Sequence, residues 1–382
     1  MTTILFKKSV MSFSKFILLP LAALFILWIF LNRFDAGQNP DEFKLEDIPI
    51  ADFNKNNGFY RLWTLIMPHQ TDIESPEVIK KYQQLFDPGF DNDKFFKEWD
   101  HTSYRTMFRS YIKKWRKILK TDSHWIDEPR NSKEYRTWNQ QILAKHNTIE
   151  KLKSEFSILL ERYQKLINSE IFSDFTLPRY DSPIPNLLAW IRISKLFNII
   201  SMQMALEGDW ENGISRVIDH INFFKKAIKG SRMLITNVVA KSNFRHSLQV
   251  LSSLLNHPQC PQTTYKSVLD RLTPIRYEEF GSATSFKIEY LTAVDYIDRK
   301  INSKNIGVLE KIGLTLFLQP NRTKYYIFTP YSEIIDMEKQ PPYQWSQGIE
   351  ELKQKYTKKK RNWFWWVQNP GGKIIVEEGI VS

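Results

Sequence analysis

Cysteine is almost absent from this chain of 382 residues, since Cys260 is its one thiol. A single cysteine excludes an internal disulfide framework and any zinc or iron–sulfur site built from clustered thiolates. Glycine and proline are also few, at 13 and 18 residues, while apolar residues make up 42% of the sequence. This composition excludes a collagen-like, low-complexity or disordered polypeptide. The length suits one large domain or two ordinary ones.

The short motifs of several common enzyme classes are also missing. The sequence has no phosphate-binding loop, no Gly-x-Gly-x-x-Gly, no Gly-x-Ser-x-Gly and no His-Glu-x-x-His. Its seven histidines are scattered, without a pair spaced i, i+4 for a metal ion. We therefore predict no catalytic residue, no cofactor and no metal site, and we interpret each histidine as a surface residue or a hydrogen-bonded core residue.

Long hydrophobic runs are absent apart from one near the N-terminus. Residues 16–32 form 17 consecutive positions without a charged side chain, rich in Leu, Ile, Phe, Ala and Trp. This is the short end of a transmembrane helix, which needs about 17 to 25 residues. We predict an uncleaved signal anchor here, with a cleavable signal peptide and a buried soluble helix as the alternatives.

The charges around this run predict its orientation. Lys7, Lys8 and Lys15 precede it, and six acidic residues lie between positions 35 and 52. Positive charge stays on the cytoplasmic side of a membrane. We therefore expect a single-pass protein of the bacterial inner membrane, with a cytoplasmic N-terminus and an extracytoplasmic body. Translation from Met11 would remove Lys7 and Lys8 and weaken this expectation.

Apolar periodicity predicts an all-α protein, in which an N-terminal transmembrane helix is followed by a multi-helix bundle or a helical-hairpin, tetratricopeptide-like body. We divide the chain into a cytoplasmic tail and anchor (residues 1–36), an acidic loop-rich segment with a basic amphipathic helix (residues 37–130), and a helical body (residues 131–382). Short extended pieces are predicted at Tyr325–Phe328 and Lys373–Val376.

The clearest periodic signal runs from Ser132 to about Ser169 and follows a heptad pattern. Nine of its ten seam positions are apolar, and Lys145 is the exception. The seam consists of Tyr135, Trp138, Ile142, Lys145, Ile149, Leu152, Phe156, Leu159, Tyr163 and Leu166. This pattern predicts one long helix in an antiparallel hairpin, with a self-associating coiled coil as the alternative.

Further helices are indicated by caps and turns. Ser75-Pro76-Glu77 has the pattern of a helix start. Three consecutive helices are predicted at residues 187–206, at residues 210–230 and from residue 231 to about residue 255, joined by short turns that favour antiparallel neighbours. The turn Ala205–Trp210 is similar to the hairpin turn of tetratricopeptide repeats, but no second copy recurs at the expected spacing of about 34 residues.

Two basic stretches interleaved with aromatic residues are the candidate binding sites. The first comprises Arg105, Arg109, Lys113, Lys114, Arg116, Lys117 and Lys120, and the second comprises Lys358, Lys359, Lys360, Arg361 and Trp363. Either stretch could contact anionic membrane headgroups. The alternative for the first is a solvated face over a core stripe, and for the second a tryptophan cluster that caps a bundle. An extracytoplasmic location argues against nucleic acid as a partner.

Four local patterns carry a family resemblance: Asn56–Tyr60, Glu207–Trp210, Gln319–Thr323 and Asn369–Lys373. With the N-terminal anchor, their order resembles a loose group of bacterial proteins that have one N-terminal membrane helix and an all-helical body. No activity is known for that group, so the resemblance implies a fold and no catalytic residues.

Taken together, these features predict a membrane-anchored envelope protein that acts as an interaction or scaffold protein with a protein partner. The absence of a catalytic constellation favours this function over an enzyme. Two alternatives stay open: an envelope enzyme acting on a lipid or cell-wall substrate, and a secreted host-directed factor.

Overall fold

The structure is a computed structural model, and it describes residues 43, 56–68, 71–86, 101–119, 134–272, 274, 276–303, 307–308, 311–312, 314 and 318–360. The predicted anchor at residues 16–32, the predicted extended piece at residues 373–376 and the motif at residues 369–373 lie outside this part of the chain. None of the helices in the described part is long and apolar enough to cross a membrane.

The described residues confirm the all-α fold class. In chain order the helices are α1 (Gly58–Thr64), α2 (Pro76–Gln84), α3 (His101–Leu119), α4 (Tyr135–Ala144), α5 (His146–Glu155), α6 (Ser157–Ile167), α7 (Leu187–Leu206), α8 (Trp210–Gly230), α9 (Leu234–Leu255), α10 (Gln262–Arg271), the short 3₁₀ helix Tyr277–Phe280, α11 (Ala283–Asn302), α12 (Pro320–Glu338) and α13 (Pro342–Lys360). Extended pairing within the same residues is limited to one isolated bridge, between Asn57 and Ile171.

The chain divides into two compact units. The larger unit is Ile48–Glu289, and the smaller unit combines Met1–Asp47 with Tyr290–Ser382. The core of the smaller unit contains Tyr290, Val294, Ile297 and Ile327.

Helix α7 is the centre of the larger unit. It packs against α4, α5, α6, α8 and α9, and 14 of its 20 residues are buried. The sequence predicted a helix that is apolar nearly all round, and burial on most faces is the reason for that composition. Gly208 ends the helix with a φ of 111°, a left-handed conformation that glycine adopts without steric cost.

The predicted long helix at residues 132–169 is three helices, α4, α5 and α6, separated by turns at Lys145 and Phe156. The hydrogen bonds continue across both turns, since Lys145 N donates to the carbonyl of Gln141 (3.1 Å) and Phe156 N donates to that of Leu152 (2.9 Å). The apolar seam is buried as predicted, with Tyr135 half-buried. Within the chain, all three helices contact α7.

The extended piece predicted at Tyr325–Phe328 is wrong, because these residues lie inside α12. Aromatic and β-branched residues such as these are enriched in strands. Tertiary packing overrides that preference here. Thr323 and Ile327 are buried and lie one helical turn apart on the same face, and Ile327 packs in the core of the smaller unit.

Helix α1 is buried, although it lies in the segment that is predicted to be rich in loops. Asn57 accepts hydrogen bonds from the backbone N–H of Phe59 (2.9 Å) and of Ser173 (3.0 Å), and it donates to the carbonyl of Ser173 (3.1 Å). One side chain thus caps α1 and ties it to a strand-like segment more than a hundred residues away. The first motif of the family resemblance therefore has a structural role at this point.

Candidate anion-binding surface

Helix α3 separates its apolar side chains from its basic ones. Its sequence contains six basic residues and no acidic residue. Tyr111, Trp115 and Ile118 are half-buried and pack against the core of the larger unit. The rings of Tyr111 and Trp115 lie 5.8 and 5.5 Å from the ring of Phe156. The core contact therefore fixes which side of the helix faces solvent.

The basic side chains described on α3 are all exposed: Arg109, Lys113, Lys114, Arg116 and Lys117. Lys114 pairs with Glu155 of α5, and this hydrogen bond holds the pKa of the Glu155 carboxyl below its usual value. The other four side chains make no ion pair within the described residues. Four cations on about two and a half turns of one helix thus face solvent without an acidic partner in the part of the chain that the structure describes.

A small cleft lies beneath this helix, between α3 and α7. It has about 20 Å³ of internal space and is lined by Ile66, Tyr111, Ile112, Trp115, Phe156, Leu159, Ala189, Arg192 and Ile193. All of these except Arg192 are apolar or aromatic. The Nη1 atom of Arg192 is shielded from solvent and has no hydrogen-bond partner among the described residues. Burial lowers the pKa of Arg192, and the nearby charge of Arg116 lowers it further.

A larger, open groove of about 590 Å³ runs along α8. It contains Lys225, Lys226, Lys229, Asp219 and Glu279. Most of its charges are already engaged: Lys226 Nζ donates to the carbonyl of Ser169 (2.9 Å), Asp219 pairs with Arg271 (2.8 Å) and Lys225 pairs with Glu279 (3.6 Å). Because positive and negative side chains in this groove neutralise one another, it is a weaker candidate for an anion-binding site than α3.

The interior of the larger unit contains a polar network that the sequence did not predict. Its members come from α6 to α9, and none is more than 2% exposed: Tyr163, Ser194, Asn198, His220, Asn243, His246 and Ser247. Because none of them is accessible to solvent, a substrate cannot reach these side chains in this conformation.

The amide of Asn198 lies between the two histidines and forms a hydrogen bond to each of them. His220 Nδ1 donates to Asn198 Oδ1 (2.7 Å), and His220 Nε2 accepts the hydroxyl of Tyr163 (2.6 Å). Asn198 Nδ2 donates to His246 Nδ1 (2.8 Å) and to Ser247 Oγ (3.1 Å). Both imidazoles are therefore neutral, since each uses one ring nitrogen as an acceptor. Burial is the main reason that the pKa of His220 lies well below 6.5.

The two predicted basic stretches lie in different units. Arg105 is in α3, of which only the backbone is described at that position, and Lys120 lies outside the described residues. Lys358, Lys359 and Lys360 form the last turn of α13, with backbone positions alone described, and Arg361 and Trp363 are outside the described part. The structure therefore brings together five residues of the first stretch and adds Arg192.

Arg192 was visible in the sequence as a charged residue in an otherwise apolar helix. Its proximity to Arg116 was not visible, because the two residues are far apart along the chain. Within the described residues no cluster of three or more metal-ligating side chains occurs.

No family model matches the chain, and no curated protein or solved structure matches it either.

Proposed function

We propose that the protein is a membrane-anchored helical interaction protein of the bacterial envelope, whose helix α3 binds an anionic membrane surface. In this proposal residues 16–32 form the single span, the body is extracytoplasmic, and the other helices offer surfaces to a protein partner. The observation that carries the proposal is the exposed, acid-free cluster Arg109, Lys113, Arg116 and Lys117.

The energy available from this cluster is sufficient for a reversible contact. A basic residue near an anionic surface contributes about 1 kcal/mol. Four such residues would contribute about 4 kcal/mol, or roughly a thousandfold in the binding constant. An anchor in the same chain raises the local concentration of the membrane surface around α3, so that a contact of this strength is populated.

Of the two body architectures, we propose the helical bundle rather than the tetratricopeptide-like hairpin array. In an array each repeat contacts its neighbours along one direction, whereas α7 is surrounded by five helices. The hairpin formed by α7 and α8 also extends over residues 187–230, which is longer than a tetratricopeptide repeat of about 34 residues.

A spin label on α3 tests the membrane contact in the full chain. Ser110 is exposed and adjoins Arg109, and replacing the one cysteine by Cys260→Ser allows a single label at Ser110→Cys. We expect the nitroxide to become less accessible to a water-soluble nickel chelate in phosphatidylglycerol nanodiscs than in phosphatidylcholine nanodiscs. The same accessibility in both lipids would contradict the proposal.

Two charge variants of equal size separate this contact from general electrostatics. The first removes the cluster by Arg109→Gln, Lys113→Gln, Arg116→Gln and Lys117→Gln. The second removes four exposed lysines elsewhere in the larger unit by Lys151→Gln, Lys153→Gln, Lys229→Gln and Lys266→Gln. We expect only the first to abolish the lipid-dependent difference in accessibility.

A further inference from the structure

The groove along α8 is built from three parts of the larger unit. The end of α6 contributes Asn168, the short 3₁₀ helix contributes Glu279, and α8 contributes residues from Asp219 to Lys229. This stretch of α8 spans about 15 Å, at 1.5 Å per residue. An extended peptide of about four or five residues has the same length, at about 3.3 Å per residue. The volume of about 590 Å³ also lies within the range of about 300 to 1,000 Å³ that is usual for ligand pockets.

Two lysines of this groove already hold the backbone of other segments of the chain. Lys225 Nζ donates a hydrogen bond to the carbonyl of Pro274 (2.9 Å), and Lys226 Nζ donates one to the carbonyl of Ser169 (2.9 Å). Both acceptors belong to residues outside the helices. Side chains of α8 thus bind non-helical backbone within the chain itself, and an extended peptide presents carbonyl groups of the same kind.

Lys229 is a donor of the groove that makes no hydrogen bond or ion pair within the described residues. It is exposed and lies one helical turn beyond Lys225 and Lys226. The charge of Lys226 also lacks an acidic partner in this part of the chain, since its acceptor is a neutral carbonyl. The two acidic side chains of the groove are already paired with other cations. Two neighbouring lysines therefore remain for a negative charge from outside the chain.

We infer that the groove along α8 binds an extended segment of a partner protein, with an acidic side chain of that segment at Lys226 and Lys229. The paired charges in the rest of the groove suit a polypeptide, whose backbone is polar but uncharged, better than a simple anion. A carboxylate near the two lysines would supply the charge complementarity that selects one partner over another. A membrane surface is too broad to enter the groove.

This inference deepens the proposed function, because it rests on the proposed protein partner and names the surface that binds it. In the proposal α3 contacts a membrane, whereas the groove along α8 takes a polypeptide. The larger unit would then bind two kinds of partner through two different helices. Each contact can be tested without the other.

Peptide binding is tested by saturation-transfer NMR on the full chain in an uncharged micelle of deuterated maltoside. The probe is acetyl-Ala-Glu-Ala-Glu-Ala-amide, and peptides with Gln or Lys in place of Glu are the comparisons. The chain carries Arg109→Gln, Lys113→Gln, Arg116→Gln and Lys117→Gln, so that the basic cluster of α3 does not attract the probe. We expect stronger transfer to the alanine methyl groups of the Glu peptide than to those of the other two.

Three further variants of this chain locate the binding. Lys226→Gln together with Lys229→Gln should weaken binding of the Glu peptide by about tenfold, because two charge contacts are lost. Lys229→Glu alone should reverse the preference in favour of the Lys peptide, a result that a misfolded chain would not give. Lys151→Gln together with Lys153→Gln, at exposed positions of α5, is the matched control and should leave binding of the Glu peptide unchanged.

Two results would overturn the inference. The first is the absence of transfer to the Glu peptide, or equal transfer to all three peptides. The second is an unchanged preference for the Glu peptide in Lys229→Glu, which would place the peptide outside the groove. Neither result affects the accessibility of a label at Ser110, which reports independently on whether α3 contacts the membrane.

Discussion

At the scale of single residues, Asn198 is the side chain that joins the buried hydrogen-bond network of the larger unit. It connects His220 and His246 through its oxygen and its nitrogen, so each histidine relies on it for one hydrogen bond. A buried network of this kind specifies one packing arrangement because a half-satisfied network is worse than an apolar core. The core of the larger unit is thus held by directional contacts as well as by apolar burial.

Replacing Asn198 by leucine tests this dependence. Asn198→Leu keeps the side-chain volume but removes the Asn198 hydrogen bonds to His246 Nδ1 and Ser247 Oγ and leaves His220 Nδ1 with Ser247 Oγ (3.1 Å) as its other neighbour, at about 1 to 3 kcal/mol for each buried group affected. We expect the free energy of unfolding to fall by about 2 to 4 kcal/mol in urea titrations. Asn212→Leu, at an exposed position of α8, is the matched control and should change it by about 0.5 kcal/mol or less.

The buried His220 predicts a dependence of stability on pH. Its pKa in the folded chain is well below 6.5, with burial as the largest cause, whereas a histidine in the unfolded chain titrates near 6.5. Below that pH the unfolded state binds more protons than the folded state. The free energy of unfolding should therefore fall as pH decreases from 7.5 to 5.5, by up to about 1.4 kcal/mol per pH unit from this group.

Urea titrations at pH 7.5, 6.5 and 5.5 measure this dependence, and His220→Gln is the comparison because glutamine does not titrate. The variant should be less stable at pH 7.5 but should lose less on acidification. Parallel losses in both chains would show that His220 is not the group responsible.

At the scale of secondary-structure elements, the crossing of α7 and α8 depends on one glycine. A Cβ atom at Gly213 would lie 2.7 Å from the carbonyl oxygen of Ser201 and 2.7 Å from the backbone nitrogen of Ala205. These are backbone atoms of the central helix and cannot move aside as a flexible side chain could. The two helices therefore approach each other more closely than any larger residue would permit.

Gly213→Ala tests this close approach, because steric overlap and helix propensity change the stability in opposite directions at this position. Alanine favours a helix by about 1 kcal/mol over glycine, so in an open position the substitution would stabilise the chain. Here we expect the opposite, a loss of about 1 to 3 kcal/mol from overpacking, measured as a lower midpoint of thermal unfolding. Asn212→Ala, one position earlier and exposed, is the control. A Gly213→Ala chain that is more stable than the parent would contradict the close crossing.

The helices also show which features of the fold can be predicted from the sequence. It predicted both ends of α7, and it predicted Ser75 as a helix cap, whose hydroxyl accepts a hydrogen bond from Val78 N (3.4 Å), because both signals are local. It predicted the buried seam of α4 to α6 but not the two turns, since the heptad pattern continues through them. Asp174, which accepts the backbone N–H groups of Arg232 (3.0 Å) and Met233 (3.1 Å) before α9, could not be predicted because it lies in a distant loop.

The sequence likewise predicts only the local features of the candidate site. An acid-free run of basic and aromatic residues is sufficient to predict an amphipathic helix, and the exposed positions on α3 agree with it. Which residue of α7 lies under that helix depends on tertiary packing. Arg192 could be recognised in the sequence as a charge in an apolar helix, but its position beneath α3 could not.

At the scale of the whole molecule, the helices differ in how many of their residues are buried. Helices α7, α8 and α9 bury 14, 11 and 12 residues, and they belong to one continuous apolar core. In α13, by contrast, residues 343–357 are all exposed or half-buried. Because the free energy of local opening follows burial and contact density, the helices should differ in their protection against hydrogen exchange.

Hydrogen exchange of the full chain, followed by mass spectrometry of peptides from each helix, measures this difference. We expect amides of α7 and α9 to open with a free energy close to that of global unfolding, and amides of α13 to open with at least about 3 kcal/mol less, or roughly a hundredfold faster exchange. Helix α12 should lie between them, since Thr323, Ile327 and Ile335 are buried. Equal protection in α7 and α13 would mean that the exposed face of α13 is covered by a partner or by a part of the chain that the structure does not describe, and would direct the search for the protein partner to that helix.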